Sequence, residues 1–494
     1  MEHHYLAFDL GASSGRAIVG TINGQGLLSL EEVHRFANGP VEVNGEFCWD
    51  FPALVNELKA GIVKAFAKFP AVNSLAIDTW GVDYVLFDKT SGKMRRLPYN
   101  YRDPRGERGV AIVEKKISRD ALYKRTGMQF MSLNTIYQLA SHLEEHPEDF
   151  DNSFLLFMPD ALGYMLGGRK VNEYTMASTS NLLDPVKRDF DRELLAMLNI
   201  PEDIFAPLVK PCTDGGRLSD DLAAELGVPA VPIVKIGSHD TASAVAATPA
   251  PECGSWCYVS CGTWALLGAE IAEPDCSDAA MAVPFTNEGG LENKIRFLAN
   301  IMGSWLFQET RRVWKEAGKD YSFGQMEDLA KAAEPCKFLI DPNCQEFLTP
   351  GNMPERICEF CRATGQGTPA DDGEILRAIY DSLALYFSGR VSMLGNILGT
   401  SYPVINMVGG GTKDKFLMQL TSDASGATVV AGPVEATAIG NIAAQAIAAG
   451  VVADVKAARK MIAASFDVDK FTPRKDVAGI FAAKRAYFAE LCSR

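Results

Sequence analysis

Ser238-His239-Asp240-Thr241 lies near the middle of the 494-residue chain, after an apolar run at 231–236 and before the small residues of 242–247. That order reads as a strand that empties through Gly237 and Ser238 into a helix. Polar residues then stand at the strand's carboxyl end, where open α/β sheets hold ligands. Asp240 is a carboxylate at the mouth of that helix, able to accept a proton. Ser238 and Asp240 fit a plain helix N-cap equally well. A second acid, Asp9, interrupts the apolar strand of residues 5–10, just before the turn Gly11-Ala12-Ser13-Ser14-Gly15-Arg16, and 17–22 returns as another strand. Such a hairpin turn offers backbone N–H groups to a phosphate, with Arg16 adding positive charge. An acid in that place suits a hydrated metal ion. The turn lacks the GxxxxGK[ST] pattern, so it is not a Walker loop.

The hairpin pattern recurs at 256–260, Cys261-Gly262-Thr263 and 264–268. Two phosphate-type hairpins, one opening each half, predict a duplicated architecture with a nucleotide between two lobes. Between them, 74–78 and 84–87 read as strands around Thr79-Trp80-Gly81-Val82-Asp83. Trp80 beside bare backbone, with Asp78 and Asp83 near, is the mixture that receives a sugar ring and its hydroxyls. A core tryptophan flanked by two surface acids is the plainer reading.

The elements that must position these residues follow from periodicity and turn chemistry. A helix is expected at 160–167 and a surface segment at 214–230. A helix beginning near Asn300 would carry Ile301, Trp305 and Val313 on its apolar face and Gln308 two turns on. Residues 337–371, rich in Pro, Gly and Asn, read as loop or insertion, and a long core helix runs from Glu374. Residues 404–408 form a buried strand leading into Gly409-Gly410-Gly411 and a helix from Lys413, a junction where backbone can approach an anionic ligand closely. The segment 432–441 supplies small residues for tight helix packing.

Composition narrows the function classes. Hydrophobic residues make up 47% and charged residues 22% of the chain, values of an ordinary globular protein with a substantial core. A net charge of −14 and a pI near 5.1 argue against nucleic acid or an anionic membrane as partner. The N-terminus has neither the basic start nor the apolar core of a signal peptide. The Ala-rich stretch at 436–452, broken by Asn441 and Gln445, reads as a packed helix rather than a span. Eleven scattered cysteines fit reduced thiols and a cytoplasmic location. Cys358 and Cys361 form a lone CxxC without the second pair a zinc site needs.

Together these motifs resemble the FGGY carbohydrate kinases of the actin-like (ribonuclease H-like) ATPase superfamily, and within them the branch acting on L-rhamnulose. The carriers are residues 9–16, Asp78-Thr79-Trp80-Gly81-Val82-Asp83, 238–245, Gly262-Thr263-Trp264, Asn300-Ile301-Met302-Gly303 with Trp305 and Gln308, 408–411 and 432–436. They occur in family order over nearly the whole chain. The resemblance implies an α/β fold of two actin-like ATPase domains with a cleft between them, divided here at 1–245 and 246–494. It implies transfer of the ATP γ-phosphoryl group to O1 of L-rhamnulose, with Mg²⁺ required and Asp240 as general base. By the same resemblance Trp80, Gly81, His239, Asp240, Thr241 and Asn300 would meet the sugar. Ala12, Ser13, Ser14, Gly15, Arg16, Thr263, Gln308 and Gly410 would meet ATP, and Asp9 would hold Mg²⁺ through water. A monomer or homodimer is expected. Some relatives carry paired cysteines in the C-terminal half; residues 419–425 have none, so no disulfide is expected there. Two other readings stay open: a family kinase for fuculose, xylulose or glycerol, and a non-catalytic actin-like protein that binds ATP and sugar.

Overall fold

The structure is a computed structural model that describes residues 2–250 and 255–493. The chain forms two compact units that do not follow a single cut. One comprises the chain up to Ala247 with Glu270–Phe297 and Ala436–Phe466; the other comprises Thr248–Ala269, Leu298–Glu435 and the chain from Asp467.

The first unit is built on a six-stranded sheet in the order Thr213–Arg217, Pro232–Lys235, Val72–Thr79, His3–Leu10, Ser14–Ile22, Leu28–Ala37. His3–Leu10 runs parallel to Val72–Thr79 and pairs antiparallel with Ser14–Ile22, which makes the expected hairpin. Helices cover both faces. Phe51–Lys68, capped by Asp50 through the Ala53 N–H at 3.0 Å, packs so closely that a Cβ on Gly61 would lie 2.6 Å from the Phe8 ring. Ala436–Ala448 lies on the other face, where a Cβ on Gly20 would meet Ile442 at 2.5 Å. Phe8 and the partner of Gly20, Tyr5, have opposite parity on one strand, as two-sided cover requires. The segment at 214–230 holds a sheet-edge strand and the helix Asp220–Leu226. The other expected helix spans Met158–Met165.

The second unit repeats the theme. Cys257–Cys261 pairs antiparallel with Trp264–Ile271 and parallel with Val404–Val408, which is parallel to Thr428–Ala431. The long helix is Asp372–Leu398, closed by Gly399 in the left-handed conformation at φ 63°.

Two expectations need correction. No helix begins at Asn300: residues 295–302 are a strand, and the helix is Trp305–Glu316. Its buried residues include Leu306, Phe307 and Trp314, whereas Trp305 and Val313 are only partly buried. The break comes at Gly303, where a Cβ would sit 2.8 Å from the Gly262 carbonyl, so backbone packing fixes a turn there. Residues 337–371 are not plain loop, since Met353–Ala363 is a helix burying Met353, Ile357 and Cys361 at i, i+4 and i+8. The CxxC thus lies on a helix with Cys361 in the core, and burial pushes that thiol up to about 12. The ten described cysteines are all free thiols.

Candidate active site

In the first unit three carboxylates converge where the strands end. Asp9 and Asp78 are register partners on neighbouring parallel strands, and the Asp240 charge acts on Asp78. Their exposure is graded. Asp78 is fully buried, the Asp9 side chain is 10% exposed and that of Asp240 is 32% exposed. Burial, then the Asp9 charge, pushes the Asp78 carboxyl well above the usual carboxylate range, although a hydrogen bond from Asn441 opposes this. That bond, Asn441 Nδ2 to Asp78 Oδ2 at 2.6 Å, ends a buried polar seam. Gln445 Nε2 donates to Asn441 Oδ1 at 2.8 Å, and Ser74 Oγ donates to Gln445 Oε1 at 2.7 Å. The two polar residues that interrupt the Ala-rich helix therefore fasten it to the central strand.

The segment carrying Asp240 is pinned through its backbone. Thr79 N–H donates to the Ser238 carbonyl at 3.0 Å. Ser238 N–H reaches Glu173 Oε2 at 3.1 Å, and His239 N–H reaches Thr175 Oγ1 at 3.3 Å. Burial of Glu173 pushes its pKa up to about 7. His239 is the N-cap residue of the helix Asp240–Ala246 and makes no side-chain cap bond. Asp240 is the first residue inside, and its Oδ1 accepts from the Thr241 N–H at 2.5 Å and hydroxyl at 3.1 Å. Neither Ser238 nor Asp240 serves as the cap. Behind this helix a Cβ on Gly440 would fall 1.8 Å from the Ser243 carbonyl, so the helix rests directly on bare backbone.

The first hairpin turn is closed by Gly11 N–H to the Ser14 carbonyl at 2.9 Å, and Asn38 Nδ2 holds the Gly11 carbonyl at 2.8 Å. Ser13 is exposed, Ala12 and Ser14 are half-buried, and Gly15 lies beneath the Phe36 ring. Arg16 Nη2 donates to Asp9 Oδ2 at 2.5 Å.

Trp80 differs from an open stacking face. It is 6% exposed and packs against Trp49 at 4.0 Å between centroids, the rings tilted by 34°. Both indoles donate to Asp83 Oδ2, Trp49 at 2.6 Å and Trp80 at 2.9 Å, while Gln138 Nε2 takes Oδ1 at 3.0 Å. Asp83 is thus occupied in holding the loop. Gly81 is half-buried beside Thr179, and Thr241 is buried.

The nucleotide-type residues of the second unit also gather. Ser304 Oγ donates to the Gly262 carbonyl at 2.8 Å and accepts from Gln308 Nε2 at 2.9 Å. The Thr263 carbonyl accepts from Gly303 N–H at 3.1 Å. A Cβ on Gly411 would strike Cys261 Sγ at 2.4 Å, and Gly409 has φ 90° with the Cys261 carbonyl 3.1 Å from its would-be Cβ. Gly410, exposed between them, faces open space. Asn300, placed by the sequence on a helix, is half-buried near the end of a strand, its carbonyl taken by Asn343 Nδ2 at 3.2 Å.

Three buried charged groups escaped the sequence reading. Glu173 ends the short strand Asn172–Glu173 and caps the helix Tyr174–Ala177, and Glu288 and Arg296 flank a turn after the second hairpin. Arg296, fully buried between Ile295 and Phe297, carried the one available signal: a charge inside an apolar run.

Among the described residues, no group of three or more His, Cys, Asp or Glu is arranged to hold a metal ion. A Mg²⁺ ion, which keeps several waters and is held by one or two carboxylates plus phosphates, would fit the partly exposed Asp9 carboxylate beside the hairpin turn. Among the described residues, no helix is long and apolar enough to cross a membrane.

Comparison with known proteins supplies the family. Residues 4–247 match the N-terminal domain, and 257–449 the C-terminal domain, of the FGGY family of carbohydrate kinases. The chain is 41% identical over 471 residues to a rhamnulokinase of Ligilactobacillus salivarius (strain UCC118), covering 95% of this chain and 96% of the relative. It is 40% identical over 470 residues to a rhamnulokinase of Bacillus subtilis (strain 168), covering 95% of each. Among solved structures, ligand-bound xylulose kinase from Lactobacillus acidophilus superposes with a TM-score of 0.80 at 16% identity, over 99% of this chain and 98% of that one. Plasmodium falciparum glycerol kinase with ADP gives 0.79 at 15% identity over the same shares, a likeness of fold alone. The chain belongs to the FGGY family of carbohydrate kinases and is a carbohydrate kinase with that family's mixed α/β, actin-like fold.

Proposed function

We propose that this kinase transfers the γ-phosphoryl group of ATP to O1 of L-rhamnulose, with Asp240 as general base. The observation that carries the base assignment is the graded exposure of the three carboxylates, in which Asp240 is the accessible one at a strand end. The sugar assignment draws on the rhamnulokinase relatives near 40% identity over almost the full chain. Asp240 takes the proton from the O1 hydroxyl, O1 bonds to the γ-phosphorus, and the β–γ bridging oxygen departs with ADP. Such a transition state is loose, so most of the protein's contribution is positioning and charge neutralisation. The turn at 12–16 with Thr263, Gln308 and Gly410 holds ATP, and Gly81, His239, Thr241 and Asn300, with Trp80 behind Gly81, hold the sugar. Asp9 would hold hydrated Mg²⁺, which neutralises phosphate charge when bound.

A coupled ADP-release assay over a panel of ketoses and polyols tests the reading. L-Rhamnulose is expected to give the highest kcat/KM; a clear preference for L-fuculose, xylulose or glycerol would displace it. Asp240→Asn is expected to keep both KM values within a few-fold and lower kcat at least ~10²-fold, the scale of a general base. Wild-type turnover at saturation would remove Asp240 from that role.

A further inference from the structure

The imidazole of His239 touches a buried ion pair that the phosphoryl-transfer chemistry leaves unused. Arg296 is 0% exposed, Glu288 4% and His239 8%. Arg296 Nη2 lies 3.1 Å from His239 Nδ1 and 3.0 Å from Glu288 Oε2, and Glu288 Oε2 lies 3.2 Å from the same ring nitrogen. Arg296 Nε is fixed on the Gly289 carbonyl at 2.7 Å. On the ring's other edge, Nε2 lies 3.4 Å from Asp240 Oδ1. All four residues belong to the first unit.

We propose that Arg296 is a positioning residue that locks His239 as the neutral tautomer with its proton on Nε2, Glu288 balancing the guanidinium charge. The inference rests on the reading above, in which Asp240 is the base and His239 meets the sugar. A guanidinium has N–H donors and no acceptor. The nitrogen facing Arg296 Nη2 must therefore offer a lone pair, which leaves the ring proton on Nε2. An Nδ1–H donating to Glu288 would set two donors against each other at 3.1 Å, and a doubly protonated ring meets the same conflict. Burial, the largest single influence, raises the Glu288 carboxyl, but the Arg296 charge and the contacts with His239 and Arg296 together hold it below the usual range, so the pair is ionised and net neutral. His239 then presents an N–H donor without adding a positive charge next to Asp240. An imidazolium there would favour the Asp240 carboxylate and weaken it as a base.

The test is 15N NMR of the full-length chain labelled at its six histidines, with the His239 signals assigned by their loss in His239→Gln. The wild type is expected to show an unprotonated Nδ1 and a protonated Nε2; a protonated Nδ1 overturns the proposal by itself, whatever the variants do. In Arg296→Met the remaining neighbour, Glu288, accepts from Nδ1–H, so the ring is expected to gain a proton on Nδ1, whereas Arg296→Lys keeps a donor and the wild-type pattern. An unchanged tautomer in Arg296→Met also overturns it. In that variant the sugar KM is expected to rise ~10-fold, one lost hydrogen bond's worth, with the KM for ATP unchanged. A switched tautomer with unchanged sugar KM leaves the tautomer assignment standing and removes His239 from the sugar site.

Discussion

Asp83 gives the sharpest quantitative prediction. Its carboxylate accepts both indole N–H groups, Gln138 Nε2 and, at 3.3 Å, the Tyr101 N–H, yet burial outweighs these donors and pushes its pKa from 3.8 up to about 6. A shift of that size corresponds to about 3 kcal/mol. Below pH 3.8 the group is protonated whether the chain is folded or unfolded, and the fold bears no charge burial. Between 3.8 and about 6 the unfolded chain ionises while the folded chain keeps its proton, so stability falls as pH rises; above 6 the whole amount is lost. Asp83→Asn is neutral throughout. Its amide oxygen can still accept both indoles, but its NH₂ faces Gln138 Nε2, so the Gln138 amide must turn over. Turning gives up a 2.8 Å bond to the Leu133 carbonyl, about 1 kcal/mol, while the otherwise unpartnered Gln138 Oε1 gains a donor. The variant is expected to be about 0.5 kcal/mol less stable than wild type near pH 4 and about 2 kcal/mol more stable at pH 7. Urea denaturation followed by tryptophan fluorescence at pH 4, 5, 6 and 7 measures the difference, in which other titrating groups cancel. A difference independent of pH would refute a buried, raised Asp83.

Two further substitutions test the close contacts that frame the site. Gly15→Ala places a methyl 2.1 Å from the Phe36 ring and is expected to cost about 1–3 kcal/mol and raise the KM for ATP; Phe36→Leu in the same chain should restore much of both, and failure of that rescue would place the damage elsewhere. Gly440→Ala drives a methyl to 1.8 Å from the Ser243 carbonyl, where only backbone can yield, so a loss of about 3 kcal/mol or more and a fall in kcat are expected; an unaltered thermal midpoint would show that the helices are not so closely packed.

What the sequence disclosed and what it hid have a common cause. Asp9, Arg16 and the two hairpins were legible because alternating apolar residues and a small-residue turn are local patterns. The sequence expectation starts a helix at Asn300, inside the 295–302 strand, because Ile301 and Trp305 happen to sit four apart. The turn between them is set by Gly303 lying on the Gly262 carbonyl, a contact between distant segments. The helix at 353–363 was hidden by the prolines and glycines around it, although its i, i+4, i+8 stripe was present. Proximity to Trp80 in sequence marks Asp83 as part of a sugar-type surrounding or as a surface acid, but does not say which way its carboxylate turns. Trp49 and Gln138, which claim it, come from elsewhere in the chain. Glu173, Glu288 and Arg296 left almost no trace for the same reason: each acts on residues 238–239 from a separate segment.

The choice among the three clustered carboxylates can be argued from their neighbours. A general base must reach the hydroxyl it deprotonates and must be ionised when it does so. Asp78 meets neither condition: it is fully buried, one oxygen is taken by Asn441, and burial and neighbouring charge favour its protonated form. Asp9 is held by Arg16 at 2.5 Å, which occupies one of its oxygens. Asp240 stands at the mouth of a helix, where its Oδ1 accepts from the Thr241 N–H and hydroxyl and its second oxygen lies outside both bonds. The same backbone that fixes Asp240 is fixed in turn by Glu173, Thr175 and Thr79, so the base sits on a rigid strand end instead of a free loop. Rigidity of that kind is what a reaction limited by positioning requires.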